Sequence, residues 1–264
     1  MRIGFIGLGN MATAIIGGLL AQGIVEPGDI VGSAKTAATR ERRAAELGIA
    51  VTADNVEVAR QADVLVLAVK PVFFPEVVAE VRGAVDDGTL VVSIAAGLTL
   101  EGIEGLFGKP VRLIRCMPNT PALVGEGCTA VCPGPRATAE DEALVLRLMG
   151  ACGAASVIPE RLMDAASAVA GSSPAFVFMF IEALADGAVA AGMPRAQAVE
   201  FAAQAVAGSA RLLLETGRHP GELKDMVCSP GGTTIEGVAA LEAGAFRAAV
   251  MEAVAACVEK AQRL

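Results

Sequence analysis

The sequence has little of the chemistry that metal sites and disulfide frameworks need. Tyrosine and tryptophan are absent, His219 is the one histidine, and the six cysteines contain no Cys-x-x-Cys pair. Structural zinc sites and disulfide-rich domains are built from Cys and His at short, regular spacings. We therefore expect no metal and free, buried thiols, which are typical of a reducing compartment and predict a cytoplasmic protein.

Positive charge is also scarce. The chain has 21 Lys and Arg against 29 Asp and Glu, with a formal net charge of -8. Phosphate backbones are bound by clustered basic residues, and the one cluster here, Arg40, Arg42 and Arg43, is expected to be a solvated helix face. We predict no nucleic-acid partner.

No uninterrupted apolar run reaches the roughly 18 to 20 residues that a membrane span needs. The N-terminal run is broken at Gly4, Gly7, Gly9 and Asn10, and the run at 175–192 contains Glu182 and Asp186. We therefore expect neither a signal peptide nor a membrane segment.

The pattern of apolar residues divides the chain into two halves. Up to residue 159, Val/Leu/Ile-rich runs alternate with helical spacing, which is typical of a parallel sheet covered on both faces. Strands are predicted at 2–7, 29–33, 49–51, 62–70, 89–97, 111–117, 128–134 and 155–159, and helices at 12–22, 37–47 and 138–150. Beyond residue 159 only helices are predicted, near 160–168, 174–191, 195–215, 220–226, 232–242 and 245–262. The expected fold class is α/β, with a Rossmann-like doubly wound domain at 1–159 and an all-α domain at 160–264.

The first predicted strand is followed by "GLGNMA", which gives Gly7, Gly9 and Ala12 in the pattern G-x-G-x-x-A. In that context the first glycine allows a sharp turn, the second lets a pyrophosphate approach the backbone, and the small third residue keeps helix and strand close. The motif predicts a dinucleotide on the N-terminus of the first helix.

The second predicted strand ends in "GSAKT" and lacks the acidic residue that usually binds the ribose of NAD. Ser33 and Lys35 suit a 2′-phosphate better, so we expect NADP(H) to be preferred and NAD(H) to be possible. A solvated loop position for Lys35 is the alternative. The turns "AVKP" at 68–71 and "AAG" at 95–97 are expected to follow the cofactor along the same edge of the sheet.

The stretch "CSPGGTTIEG", residues 228–237, interrupts the helical half with Pro230, the glycine pair at 231–232 and three hydroxyl residues. Such a run predicts a tight turn opening a new helix near Gly231, whose unpaired N–H groups and dipole favour an anion. A capped turn without a ligand is the alternative on this stretch alone.

Enzymes that reduce a carbonyl group with a nicotinamide usually supply a proton from Tyr, His or Lys. This chain has no Tyr, its five lysines are spread widely, and His219 reads as a helix-terminal turn residue. A substrate that is already protonated, such as a cyclic iminium, needs only a hydride donor, an anion site and a hydrogen bond at nitrogen.

Together the motifs resemble those of the pyrroline-5-carboxylate reductases. "GFIGLGNMA", "VLAVKP", "RCMPNTPALVGEG", "AGSSPAFVFMFIEALADGAV" and "LKDMVCSPGGTTIEG" occur in that family's order over essentially the whole chain. The resemblance implies reduction of 1-pyrroline-5-carboxylate to proline with NAD(P)H. It also implies a homodimer formed through the helical domain, with larger assemblies open, and activity that requires dimerisation.

The resemblance also implies roles for individual residues. The substrate carboxylate would be bound by Ser229 and the backbone of Gly231, Gly232 and Thr233, and the Thr234 hydroxyl would bond the ring nitrogen. The implied cofactor-binding residues are Ile6, Gly7, Leu8, Gly9, Asn10, Met11, Ser33, Lys35, Asn55, Ala68, Val69, Lys70, Pro71, Ala95, Ala96 and Gly97.

Four positions depart from the family pattern. Ala170, Ser173 and Phe176 stand where relatives often have Ser, Gly and Tyr, and Ala34 stands where many relatives have a Ser or Arg for the 2′-phosphate, which counts against the preference for NADP(H). Two rival functions stay open on the residues alone. The first, a hydroxyacid dehydrogenase of similar layout, is disfavoured because the helix after the domain boundary lacks a lysine. The second, a non-catalytic nucleotide sensor, is disfavoured because no basic helix or tail is present.

Overall fold

The computed structural model describes residues 1–263 and divides into two compact units. The first contains residues 1–171 and the C-terminal segment from Val258, and the second contains residues 172–257. The helix predicted at 160–168 lies in the first unit.

An eight-stranded sheet forms the centre of the first unit. Its strands are β1 (Ile3–Ile6), β2 (Ile30–Ser33), β3 (Ala50–Thr52), β4 (Val64–Leu67), β5 (Leu90–Ser93), β6 (Arg112–Met117), β7 (Gly127–Pro133) and β8 (Gly153–Val157). The spatial order is β3-β2-β1-β4-β5-β6-β7-β8. The order reverses beside β1, which is the switch point at which doubly wound sheets bind ligands.

Helices cover both faces of this sheet. They are α1 (Asn10–Ala21), α2 (Ala37–Leu47), α3 (Asn55–Gln61), α4 (Phe74–Val81), α5 (Leu100–Phe107) and α6 (Ala139–Gly150). The apolar side chains of β1, β4 and β5 are fully buried and contribute to one core on each face. The predicted Rossmann-like doubly wound fold is therefore confirmed.

Two details differ from the sequence-based expectation. Helices α3, α4 and α5 were not predicted, although Asp54 and Thr99 cap α3 and α5 through side-chain acceptors. The sheet is not wholly parallel, because β7 pairs antiparallel with β6. The segment 118–126 between them holds only a 3-10 turn and is too short for the crossover that parallel strands require.

Between β8 and residue 263, helices are the only regular secondary structure. A 3-10 turn (Glu160–Leu162), α7 (Met163–Ala166), a π-helical segment (Ser167–Ser172) and α8 (Ser173–Ala190) follow one another directly. They are followed by α9 (Arg195–Thr216), α10 (Pro220–Val227), α11 (Thr233–Ala243) and α12 (Phe246–Ala261). These bounds confirm the predicted all-helical character to within a few residues at each end.

The second unit buries very little of its own apolar surface. Within residues 172–257 the buried residues are three alanines of the α8–α9 contact: Ala185, Ala198 and Ala202. Large side chains are left exposed, and the most exposed belong to α8, α9 and α12: Phe178, Met179, Phe201, Leu214 and Met251. Large apolar side chains exposed in this number are typical of an interaction surface.

The helical stretch Glu160–Ala190 is long and apolar enough to cross a membrane by length and composition alone. This differs from the expectation that Glu182 and Asp186 exclude such a span. A single stretch of this kind is weak support for a membrane protein, because a helix that packs against other helices passes the same test.

Candidate active site

The turn between β1 and α1 requires glycine at position 7. Gly7 has a φ of +97°, and a Cβ there would lie 2.7 Å from the carbonyl oxygen of Ala68. Its amide donates to the carbonyl oxygen of Ser33 at 3.0 Å. The turn therefore connects the ends of β1, β2 and β4 at the switch point of the sheet.

Gly9 leaves the start of α1 open. It is the N-cap residue, no side chain caps the helix, and a Cβ at Gly9 would meet nothing within 4 Å. The first amides of a helix have no intrahelical acceptor and carry the positive end of its dipole. Ala12 is buried against the sheet, so these residues fit the pyrophosphate of a dinucleotide.

The other predicted cofactor-binding residues of this turn differ in solvent exposure. Ile6 and Leu8 are buried in the core, Met11 is half-buried, and Asn10 is exposed at the first position of α1.

The end of β2 carries a hydrogen-bonded side-chain network. Ser33 is buried, and its Oγ donates to Oδ1 of Asn55 at 2.6 Å. Nδ2 of Asn55 donates to Oε2 of Glu80 at 2.7 Å. The structure thus brings together Ser33 and Asn55, which the resemblance had implicated, and adds Glu80 of α4. Lys35 is exposed just before Thr36, the N-cap of α2.

The arginine cluster of α2 is not a solvated face. Arg43 is only 9% exposed, and its Nε donates to the carbonyl oxygen of Leu8 at 3.2 Å. Arg40 donates to the carbonyl oxygens of Ala34 and Lys35. Arg42 is exposed as expected. The expectation was wrong for Arg43 because this side chain supports the glycine-rich turn.

The turns after β4 and β5 lie on the same edge as the glycine-rich turn, because β1, β4 and β5 are parallel neighbours. The amide of Ala68 donates to the carbonyl oxygen of Ile6 at 2.9 Å. Val69 is half-buried, while Lys70 and Pro71 are exposed. After β5, Ala95 is buried, and Ala96 and Gly97 are exposed.

The segment 228–232 forms a turn that opens α11, as the sequence predicts. Gly231 has a φ of +67°, and the amide of Gly232 donates to the carbonyl oxygen of Ser229 at 3.0 Å. A Cβ at Gly232 would lie 2.3 Å from Oγ of Ser229. No side chain caps α11, so the amides of Thr233 and Thr234 are open to an anion. Thr233 is exposed and Thr234 half-buried.

His219 has a structural position. It is exposed and caps α10, where its Nδ1 accepts from the amide of Gly221 at 3.1 Å. The interpretation of His219 as a helix-terminal residue is confirmed.

Asn119 of the "RCMPNTP" motif is buried and is hydrogen-bonded to the helical stretch Glu160–Ala190. Its Oδ1 accepts from the amide of Cys128, and its Nδ2 donates to the carbonyl oxygen of Ala170 at 2.9 Å. Ala170 lies in the π-helical segment and makes this contact through its backbone carbonyl, which does not depend on a side-chain hydroxyl at this position.

The cysteines are free thiols. Burial raises the pKa of the Cys116, Cys132 and Cys152 thiols above the ordinary value, which favours their protonated form. Cys128 is exposed rather than packed in the core. In residues 1–263 no three His, Cys, Asp or Glu side chains are grouped to hold a metal ion.

Comparison with known proteins agrees with this architecture. Residues 2–97 match the family model described as "NADP oxidoreductase coenzyme F420-dependent", and residues 160–264 match "Pyrroline-5-carboxylate reductase dimerisation". A doubly wound dinucleotide domain joined to this helical domain defines an NAD(P)H-dependent oxidoreductase.

Relatives that match over the full length identify the family within this class of oxidoreductases. The chain is 52% identical to the pyrroline-5-carboxylate reductase of Escherichia coli, over 100% of this chain and 98% of that protein. The chain belongs to the pyrroline-5-carboxylate reductase family.

Solved structures give the same result. The structure of the Coxiella burnetii pyrroline-5-carboxylate reductase superposes with a TM-score of 0.94 at 35% identity, covering 99% of this chain and 97% of that one. The Plasmodium falciparum pyrroline carboxylate reductase, crystallised with NADP bound, gives 0.88 at 32% identity, covering 100% and 97%.

Proposed function

We propose that this protein reduces 1-pyrroline-5-carboxylate to L-proline, the last step of proline biosynthesis, with NADPH preferred over NADH. The observation that carries the proposal is the similarity over the whole chain to enzymes of this name. The preference for NADPH is supported by Lys35 at the end of β2, where no acidic residue stands.

The residue inventory supports an imine substrate rather than a ketone. Tyrosine is absent, and the one histidine is used as a helix cap. A bound reduced nicotinamide would supply the hydride for the carbon of the C=N bond. The ring nitrogen of the protonated imine keeps its proton and becomes the amine of proline, so no strong protein acid is needed.

For the substrate, we propose that the turn at 228–232 and the start of α11 bind the carboxylate. Ser229 and the amides of Gly231, Gly232 and Thr233 are the proposed donors, and the open helix terminus adds its dipole. The hydroxyl of Thr234 is proposed to bond the ring nitrogen and hold the C=N bond in one orientation.

The remaining proposed roles concern the residues that bind the cofactor. The turn at 6–11 binds pyrophosphate. Lys35 and Asn55 face the adenosine ribose, and the buried Ser33 supports this site through its hydrogen bond to Asn55. The turns at 68–71 and 95–97 follow the cofactor toward its nicotinamide. The functional division proposed is residues 1–159 for dinucleotide binding and residues 160–264 for substrate binding and dimerisation.

We propose a cytoplasmic homodimer formed through the helical domain. Its support is the exposed apolar surface on α8, α9 and α12, which the chain does not cover itself. Three buried alanines make too small a core for an independent unit of this length. No metal, nucleic acid or membrane has a proposed part in the activity.

The purified protein, mixed with 1-pyrroline-5-carboxylate and NADPH or NADH in parallel, tests the proposal. We expect the near-ultraviolet absorbance of the reduced cofactor to fall, faster with NADPH, with proline formed in equal amount. Consumption of neither cofactor would refute the proposed reaction, and faster consumption of NADH would refute the proposed preference.

A further inference from the structure

Three side chains from different elements form one hydrogen-bonded chain at the edge of the sheet. Ser33 ends β2, Asn55 begins α3, and Glu80 lies in the last turn of α4. Oγ of Ser33 is 2.6 Å from Oδ1 of Asn55, and Nδ2 of Asn55 is 2.7 Å from Oε2 of Glu80.

The carboxylate of Glu80 determines which group donates and which accepts in both hydrogen bonds. An ionised carboxylate only accepts, so the amide of Asn55 must turn its NH₂ group toward Glu80. Its oxygen then faces Ser33, and the single hydroxyl proton of Ser33 is committed to that oxygen.

Exposure decides which of the three groups a ligand meets. Ser33 is 1% exposed, Asn55 is half-buried, and Glu80 is exposed. A ligand therefore meets Asn55 with one amide proton directed at a carboxylate and its oxygen still able to accept. A ribose 2′-hydroxyl can donate to that oxygen, whereas a 2′-phosphate has no proton to donate and is repelled by the nearby negative charge.

We propose that Glu80 is a positioning and specificity-determining residue that limits the preference for NADPH. This rests on the proposed cofactor-binding role of Ser33 and Asn55. Glu80 acts through the orientation of the Asn55 amide and through its own charge. It opposes Lys35, which is exposed two residues beyond Ser33, and Arg40, which is bonded to the carbonyl oxygens of Ala34 and Lys35.

The test compares E80Q with E76Q. Glu76 is exposed one turn earlier on α4, so both variants remove one negative charge from the same helix. Only E80Q replaces the acceptor-only carboxylate that faces Asn55 by an amide, which can accept or donate and so lets the Asn55 amide turn either way. Dissociation constants for NADPH and NADH are measured by fluorescence titration, without substrate, at low and high salt.

We expect E80Q to strengthen the binding of NADPH relative to that of NADH by about 3- to 10-fold at low salt. The change in this ratio should be smaller at high salt, because exposed charges are screened. E76Q should change the ratio less than 2-fold, about the size expected of a distant surface charge. An unchanged ratio in E80Q, or an equal change in E76Q, would overturn the proposal.

Failure of the proposed reaction would look different. If the wild-type protein binds both cofactors but reduces no 1-pyrroline-5-carboxylate, the reaction is wrong and the binding ratio still tests Glu80.

Discussion

Gly7 and Ala68 approach each other so closely that no side chain fits at position 7. A Cβ on Gly7 would lie 2.7 Å from the carbonyl oxygen of Ala68, and the φ of +97° disfavours any L-residue. The contact joins the glycine-rich turn to the turn after β4, and both contribute residues to the proposed cofactor site.

We therefore expect Gly7→Ala to weaken NADPH binding by more than about 10-fold and to lower stability by roughly 1–3 kcal/mol. Gly17→Ala is the matched control, since a Cβ there meets nothing within 4 Å inside α1. That variant should bind NADPH normally and gain about 0.5–1 kcal/mol from helix propensity. Titration and chemical denaturation measure both effects, and normal binding by Gly7→Ala would contradict the assignment.

Thr234→Ala should lower kcat by about 10- to 1000-fold, the cost of one lost hydrogen bond in the transition state. NADPH affinity should stay unchanged, because the proposed role of the hydroxyl concerns the substrate alone. Thr234→Ser keeps the hydroxyl and should recover most of the rate. A loss of cofactor affinity as large as the loss of kcat would argue against this role.

Phe201→Glu should convert the proposed dimer into monomers. Phe201 is 66% exposed on α9 in the single chain, and burying a carboxylate in an apolar interface is strongly unfavourable. Val124→Glu, at a 78% exposed position in the first unit, is the control. Light scattering and steady-state rates should show a smaller mass and at least about a 10-fold loss of activity for Phe201→Glu only. An unchanged mass for that variant would place the interface elsewhere.

Stability should fall in alkaline solution because of the buried thiol of Cys116. Burial raises the pKa of this thiol above its ordinary value of 9.0. Above pH 9 the unfolded chain loses the proton while the folded chain keeps it, so unfolding becomes easier as pH rises. The slope for one such group is about 1.4 kcal/mol per pH unit.

Cys116→Ala removes that contribution, so its unfolding free energy should fall less steeply between pH 9 and 11 than that of the wild type. Cys128→Ala, at an exposed position, should keep the wild-type slope. Equal slopes in all three proteins, measured by denaturant titration, would show that Cys116 is not the source.

Short sequence motifs were sufficient to predict the two turns whose shape depends on residues within the motif itself. Gly7, Gly9 and Ala12 identify the dinucleotide turn because each answers a steric requirement within one short motif. Pro230 and Gly231 likewise mark the break before α11. The antiparallel direction of β7 was missed, although the short segment 118–126 already disfavours a crossover.

Contacts between distant residues were beyond the sequence patterns. The sequence around Arg43 does not distinguish it from its neighbour Arg42. Only the fold shows that Nε of Arg43 donates to the carbonyl oxygen of Leu8. The hydrogen bond from Asn55 to Glu80 joins α3 to α4, which β4 separates in the sequence, and neither residue has a local signal for it. These contacts depend on how helices cover the sheet, which the apolar pattern leaves open.

Transfer of deuterium from the cofactor to the product is the most direct test of the proposed reaction. NADPH carrying deuterium at the transferable C4 position is incubated with the enzyme and 1-pyrroline-5-carboxylate, and the product is analysed by mass spectrometry and NMR. We expect proline with one deuterium at C5, the carbon of the former C=N bond. Proline without deuterium, or no proline despite oxidation of the cofactor, would contradict the proposed reaction.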